Sequence, residues 1–298
     1  MTVPPPSGML RLGGRSFPPG RPLVMAVINR TPDSFYPGAR QFDVEVAAEA
    51  VARAEAEGAD LVDVGGVKAG PGDDVDVAEE LRRVVPFLAR IRSAHPRLLL
   101  SVDTWRAEVA EQACAAGVDL INDTWAGHDP GLAEVAAAHG VGLVCSHTGG
   151  ALPRTRPHRV SYGDSAEGVV DDVLTGLTEI ARKAVAAGVP AESLLLDPTH
   201  DFGKNTWHGL ALLRHTDALV ALGYPVLMSL SRKDFVGETL DLPVNDRLSG
   251  TLAATAVAAW SGAKVFRAHD VAATRQVIDM VTSIRGERPP AHTTRGLA

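Results

Sequence analysis

Short apolar runs recur along this chain, and each stops at a polar or charged residue. LVMAVI ends at Asn29, ADLV at Asp63, LLLSV at Asp103 and VDLI at Asn122. GLVCS is followed by His147, SLLL by Asp197, VLMSL by Ser231 and Lys233, and KVF by Arg267 and His269. Between the runs, apolar residues fall at helical spacing over 44–57, 77–93, 107–116, 132–139, 167–187, 209–222, 246–261 and 272–283. Several of these stretches end in glycine, at Gly58, Gly117, Gly140, Gly188, Gly223 and Gly262, where a left-handed residue stops a helix at little cost. A strand follows each within a few residues, which predicts parallel strands joined by right-handed crossovers. Polar groups at the carboxyl ends of buried strands are the pattern of an α/β fold of the (β/α)8 TIM-barrel type, whose active site gathers at that face. Asp and Asn also cap following helices, so one such position says little, but capping does not account for the whole set. An open doubly wound sheet is the alternative, and it would gather its binding residues at one switch point.

The 298 residues are 45% hydrophobic and 22% charged, which suits one barrel domain over 21–285. The Pro/Gly-rich segment 1–20 is expected to be flexible apart from a short hairpin around 10–17, and the tail 286–298 to be loose. No apolar stretch approaches the ~20 residues that span a bilayer, so no membrane association is expected. The opening residues lack the apolar core of a secretory signal, and two cysteines without metal-ligand spacing suit a reduced, cytoplasmic setting. A net charge of −7 argues against a nucleic-acid partner. Three loops exceed what a barrel needs, at 29–42, 65–76 and 147–162, and read as lids or substrate clamps.

Within this frame NRTPDSF (29–35), DVGG (63–66), SVDTWRAEVA (101–110), INDTWAG (121–127), LDPTHDFGKN (196–205), SLSRKDFVGE (229–238) and RAHD (267–270) resemble the pterin-binding motifs of dihydropteroate synthase. The resemblance implies a homodimeric barrel that joins p-aminobenzoate to 6-hydroxymethyl-7,8-dihydropterin pyrophosphate with Mg²⁺ assistance. It implies that Asn29, Thr31, Asp33, Lys233, Arg267 and His269 serve catalysis. Asp103, Asn122, Asp197, Phe202 and Lys233 would hold the pterin; Asn29, Arg267 and His269 would hold the pyrophosphate, with Asn29 also supporting the metal. The chemistry suits the residues. A buried carboxylate accepts two adjacent N–H donors of an aminopyrimidine edge, and an Arg fork beside an imidazole suits a pyrophosphate. A surface pair between Arg267 and Asp270 is the plain alternative for that arginine.

The chain also departs from the pattern. Where the family continues DVGG as Glu-Ser-Thr-Arg-Pro-Gly, this sequence has Val67-Lys68-Ala69-Gly70-Pro71-Gly72. Ala69 and Gly70 thus replace a threonine on the aminobenzoate side and an arginine that clasps pyrophosphate. A charge-assisted hydrogen bond is worth about 1.5–3 kcal/mol, so that arginine alone is worth roughly ten- to a hundredfold. The family's Met-His-Met is Ser146-His147-Thr148, a pterin-side glycine is Ser229, and DPGIGFGK becomes Asp197-Pro198-Thr199-His200-Asp201-Phe202-Gly203-Lys204. VKAGPG resembles a divergent second synthase-like branch of actinobacteria. The expectation is a dihydropteroate-synthase-like transferase of folate-biosynthesis type with weak, altered or lost activity. The alternatives are a non-catalytic pterin-binding paralogue and a folate-dependent methyltransferase; RAHD, SRK and the lack of a corrinoid partner domain stand against the latter.

Overall fold

The computed structural model describes residues 8–31, 44–155, 160–163, 165 and 167–295. The chain enters through an antiparallel hairpin, β1 (Leu10–Leu12) and β2 (Arg15–Phe17), turning on Gly13 and Gly14, both at positive φ. Positive φ at both turn positions matches the twist of the flanking strands. Gly13 has a second reason to lack a side chain, since a Cβ there would lie 2.6 Å from Asp119 Oδ1. Leu10, Leu12 and Phe17 are buried, so the hairpin expected around 10–17 is packed against the fold.

Eight parallel strands follow: β3 (Leu23–Asn29), β4 (Leu61–Gly65), β5 (Leu99–Asp103), β6 (Leu120–Asp123), β7 (Gly142–Ser146), β8 (Leu194–Asp197), β9 (Leu227–Met228) and β10 (Val265–Ala268). Their order is β8-β7-β6-β5-β4-β3-β10-β9. The two ends of that order meet where Leu196 bridges to Val226 and the Leu196 N–H donates to the Pro225 carbonyl at 2.9 Å. The result is the expected single-domain (β/α)8 barrel.

Side chains alternate along every strand. Leu23, Met25, Leu61, Leu99, Leu120, Val144, Leu195, Leu227 and Val265 point inward and pack with the hairpin's Leu10, Leu12 and Phe17. The hairpin therefore fills the amino-terminal end of the barrel with hydrocarbon. The intervening residues, such as Val62, Leu100, Ile121 and Leu196, point outward into the layer covered by helices. One alternation step above the inner apolar layer come Asp63, Ser101, Asn122, Ser146, Asp197, Ser229 and Arg267. Polarity rises toward the carboxyl end because that is where the inward-facing positions become polar.

The helices are α1 (Val44–Ala56), α2 (Val77–Ala94), α3 (Ala107–Ala115), α4 (Gly131–His139), α5 (Gly168–Ala186), α6 (Thr206–Arg214), α7 (Thr216–Val220), α8 (Asp234–Leu240), α9 (Leu248–Trp260) and α10 (Val271–Ile284). Helices α6, α7 and α8 differ from the spacing-based expectation. The stretch over 209–222 starts earlier, at a capping box between Asn205 and His208, and breaks at His215 into α6 and α7. Helix α8 was not anticipated. Its first N–H groups, on Asp234 and Phe235, donate to the Asp201 carboxylate at 2.5 and 3.3 Å, a cap supplied from more than thirty residues away.

Candidate functional site

At the centre of the mouth stands Asp63, inward-facing on β4 and fully buried. It accepts Ser101 Oγ at 2.6 Å, Asn122 Nδ2 at 2.9 Å and Arg267 Nε at 2.7 Å. The sequence reading counted Asp63 as a strand ending and gave it no site role. Its position as a hub, joining β4, β5, β6 and β10, follows only from barrel closure. Because Asp63 takes the amide NH₂ of Asn122, the Asn122 oxygen is the group left to accept a donor from elsewhere.

Arg267 is bound on two sides. Besides Asp63, its Nη2 donates to Asp103 Oδ2 at 3.0 Å, and Asp103 Oδ1 accepts Thr124 Oγ1 at 2.9 Å. The surface pair envisaged between Arg267 and Asp270 does not form, because Asp270 instead receives a two-pronged contact from Arg232 at 2.9 and 3.1 Å. Asp103 keeps about a fifth of its side-chain surface accessible at the rim. Loss of hydration nevertheless lifts its pKa to about 7, opposed by the Arg267 charge and reinforced by Asp63.

The second acid, Asp197, ends β8. Oδ1 accepts the Thr199 N–H at 2.7 Å and Oδ2 accepts Ser229 Oγ at 2.9 Å. Burial raises its pKa, against the pull of those two hydrogen bonds and of the Lys233 and Lys204 charges. Lys233 shares this environment. Its ammonium sits 4.3 Å from the centre of the Phe202 ring, a cation–π arrangement. Desolvation lowers its pKa while Asp201 and Asp197 oppose the shift. Phe202 is held edge-on by Trp125, with ring centres 5.1 Å apart and planes at 77°. Asp103, Asn122, Asp197, Phe202 and Lys233 thus gather at one end of the barrel, and the two acids face a common mouth.

At the end of β3, Asn29 pairs in register with Gly65. A Cβ at Gly65 would lie 3.9 Å from Asn29 Oδ1 and 3.6 Å from the Asp103 Cβ, in ordinary contact, which places these two side chains on either side of Gly65. Thr31 is buried just beyond β3, and Asp33 lies outside the described residues. His269 Nδ1 pairs with Ser231 Oγ at 3.0 Å, and its pKa falls to about 4 through burial and the Arg267 and Arg232 charges. Among the described residues no group of three His, Cys, Asp or Glu side chains could hold a metal ion. Asn29 supplies one neutral oxygen. Mg²⁺ prefers octahedral oxygen ligands and keeps several waters or phosphates, so one neutral oxygen does not by itself make a Mg²⁺ site.

The altered second loop is fastened by its backbone. Arg83 donates to the Gly66 carbonyl at 2.8 Å and Arg106 to the Val75 carbonyl at 2.7 Å. Arg106 also pairs with the buried Glu80 at 2.7 Å, which accepts Thr104 Oγ1 at 2.7 Å on its other oxygen. From the third loop, Arg154 reaches the Gly70 carbonyl at 3.5 Å.

Beneath the Asp197 side lies the altered DPTHDFGK turn. Thr199 and Asp201, at the first two glycine positions of the family's DPGIGFGK, have φ of +50° and +68°. A β-branched residue at positive φ is strained, and the structure supports it locally. Thr199 Oγ1 donates to the Asp197 carbonyl at 2.9 Å and accepts the His147 N–H at 3.3 Å. The buried Lys204 ammonium donates to the carbonyls of His147, Phe202 and Thr199 at 2.5, 2.9 and 3.4 Å. Desolvation brings its pKa down to about 7. His147 does not face the mouth; its ring reaches outward to Asp172 on α5 at 2.7 Å.

Comparison with known proteins fits this geometry. The model of a family described as pterin binding enzyme matches residues 25–269. A Mycobacterium leprae protein named inactive dihydropteroate synthase 2 is 64% identical over 287 residues, covering 96% of this chain and 99% of that one. The crystal structure of Yersinia pestis dihydropteroate synthase with a sulfonamide drug superposes with a TM-score of 0.86 at 34% identity, covering 94% of this chain and all of that one. A dihydropteroate synthase from Coxiella burnetii in complex with pteroic acid gives a TM-score of 0.84 at 31% identity, covering 94% and 99%. The folate-methyltransferase alternative finds no support in these comparisons. The chain belongs to the pterin-binding enzyme family, as a divergent paralogue of dihydropteroate synthase.

Proposed function

We propose that this protein binds a dihydropterin at the barrel mouth and has lost effective dihydropteroate synthase activity. The observation that carries this reading is an asymmetry. The pterin-edge set of Asp103, Asn122, Asp197 and Lys233 is assembled, while the second loop beside it carries Ala69 and Gly70 in place of the hydroxyl and the guanidinium. Arg267, the cation best placed for a pyrophosphate, is already bound to two carboxylates and would have to leave Asp103 or share its charge. The name of the mycobacterial relative, and the pteroic acid bound by the Coxiella enzyme, agree with both halves.

In this reading Asp197 accepts the amino and ring N–H of the pterin. The Asn122 oxygen and Asp103 complete that edge, Lys233 donates to the ring, and Phe202 packs on its face. Asn29 and His269 meet what remains of the anion, and any Mg²⁺ arrives with it. A second copy of the chain would cover the apolar face of α9 and α10, and the protein would work in the cytoplasm. No helix among the described residues is long and apolar enough to cross a membrane.

Calorimetric titration with 6-hydroxymethyl-7,8-dihydropterin and its pyrophosphate, beside a synthase assay with p-aminobenzoate, tests this. Binding of either pterin, its loss in Asp197→Asn, and turnover far below an ordinary synthase are expected. Asn would present a donor where the ligand needs an acceptor. Absence of pterin binding overturns the first half, and ordinary turnover the second.

A further inference from the structure

Ser146 is the last residue of β7, at the register of Asp197 on β8. On its other side lies β6, whose Asn122 pairs with Val144 of the same strand. Val144 belongs to the inner apolar layer and Cys145 to the outer one, so alternation turns the Ser146 side chain inward, between Asn122 and Asp197. Only 1% of the residue is exposed, and its Oγ has no hydrogen-bond partner among the described residues. Its neighbours differ in this respect: Asp197 already holds two donors, and Asn122 is oriented by Asp63. An unpartnered hydroxyl at such depth is destabilising unless something else pairs with it.

We infer that Ser146 is a ligand-contacting, specificity-determining residue: its hydroxyl accepts a hydrogen bond from the exocyclic amino group of the heterocycle held between Asn122 and Asp197. The slot thereby selects a 2-amino pteridine over its 2-oxo counterpart. The inference rests on the pterin reading above.

Titration of the full chain with pterin and with lumazine, which carries oxygen in place of the 2-amino group, tests it. The wild type, Ser146→Ala and Asp197→Asn are compared, and each is followed by thermal unfolding. Ser146→Ala is expected to weaken pterin binding about three- to tenfold, the range of one neutral hydrogen bond. Lumazine affinity should stay within about twofold, and the melting temperature should not fall, because no protein partner is lost. Pterin affinity equal to wild type overturns the inference, as does an equal loss for both compounds accompanied by a lower melting temperature. If Asp197→Asn abolishes pterin binding while Ser146→Ala leaves it intact, the pterin reading stands and only this inference falls. If the wild type binds neither compound, both fall.

Discussion

His200 is fully buried and packed against Phe235, with 5.3 Å between ring centres. Burial pushes its pKa down to about 3, with the Lys204 and Lys233 charges adding to the effect. A group whose folded pKa lies below its unfolded value near 6.5 binds more protons when unfolded. Its share of stability is therefore present above pH ~6.5 and drains away as pH falls toward ~3. Between pH 7 and pH 5 that amounts to about 2 kcal/mol. His200→Leu is expected to shrink the loss of unfolding free energy over that interval by about that much, measured by urea denaturation at the two pH values. Asp103 works in the opposite sense. Its raised pKa makes the folded state the better proton binder, so its burial costs stability as pH rises from about 4 to about 7. Comparing variant with wild type cancels that contribution and isolates the imidazole. The same turn shows how a departure from a motif is accommodated: threonine and aspartate occupy positions suited to glycine, and each uses its polar side chain to hold the conformation.

Among the elements, the second loop is the one on which the proposed loss of synthase activity turns. Gly70 lies at ordinary φ, and a Cβ there would meet only the far end of the Lys68 side chain at 3.7 Å, so the position has room for a side chain. Ala69→Thr combined with Gly70→Arg is expected to raise the rate of pyrophosphate release in a synthase assay by about tenfold or more, the worth of one charge-assisted contact. No increase would move the defect to Thr199–Asp201 or to Ser229. Legibility also varied by element. Every barrel strand and most helices could be read because alternation and helical spacing are local properties. Helix α8 escaped because its cap, Asp201, comes from a different loop, and the break at His215 leaves no mark in hydrophobic spacing. The acids of the mouth were legible as strand endings. The hub role of Asp63, the Arg232–Asp270 pair and the outward turn of His147 were not, since each depends on which side chains meet after the barrel closes.

For the whole molecule, α9 is apolar around its circumference, yet Val257 and Trp260 remain exposed beside Met280 and Ile284 of the neighbouring α10. A helix apolar on all sides is normally buried on all sides. A second copy of the chain is the partner expected on this face. Trp260→Glu with Met280→Lys should convert a dimer to a monomer in size-exclusion chromatography with light scattering, with little change in circular dichroism. A monomeric wild type would remove the proposal. The way the barrel closes has a consequence of its own. A wall fastened at one spot gives way there first, and strand β9 meets β8 through one bridge while the other strands share longer ladders. Ser229 and Asp197 clasp hands across that gap. A heterocycle that draws on Asp197 would compete with the Ser229 hydroxyl for the same carboxylate, so filling the mouth would bear on the joint between β8 and β9.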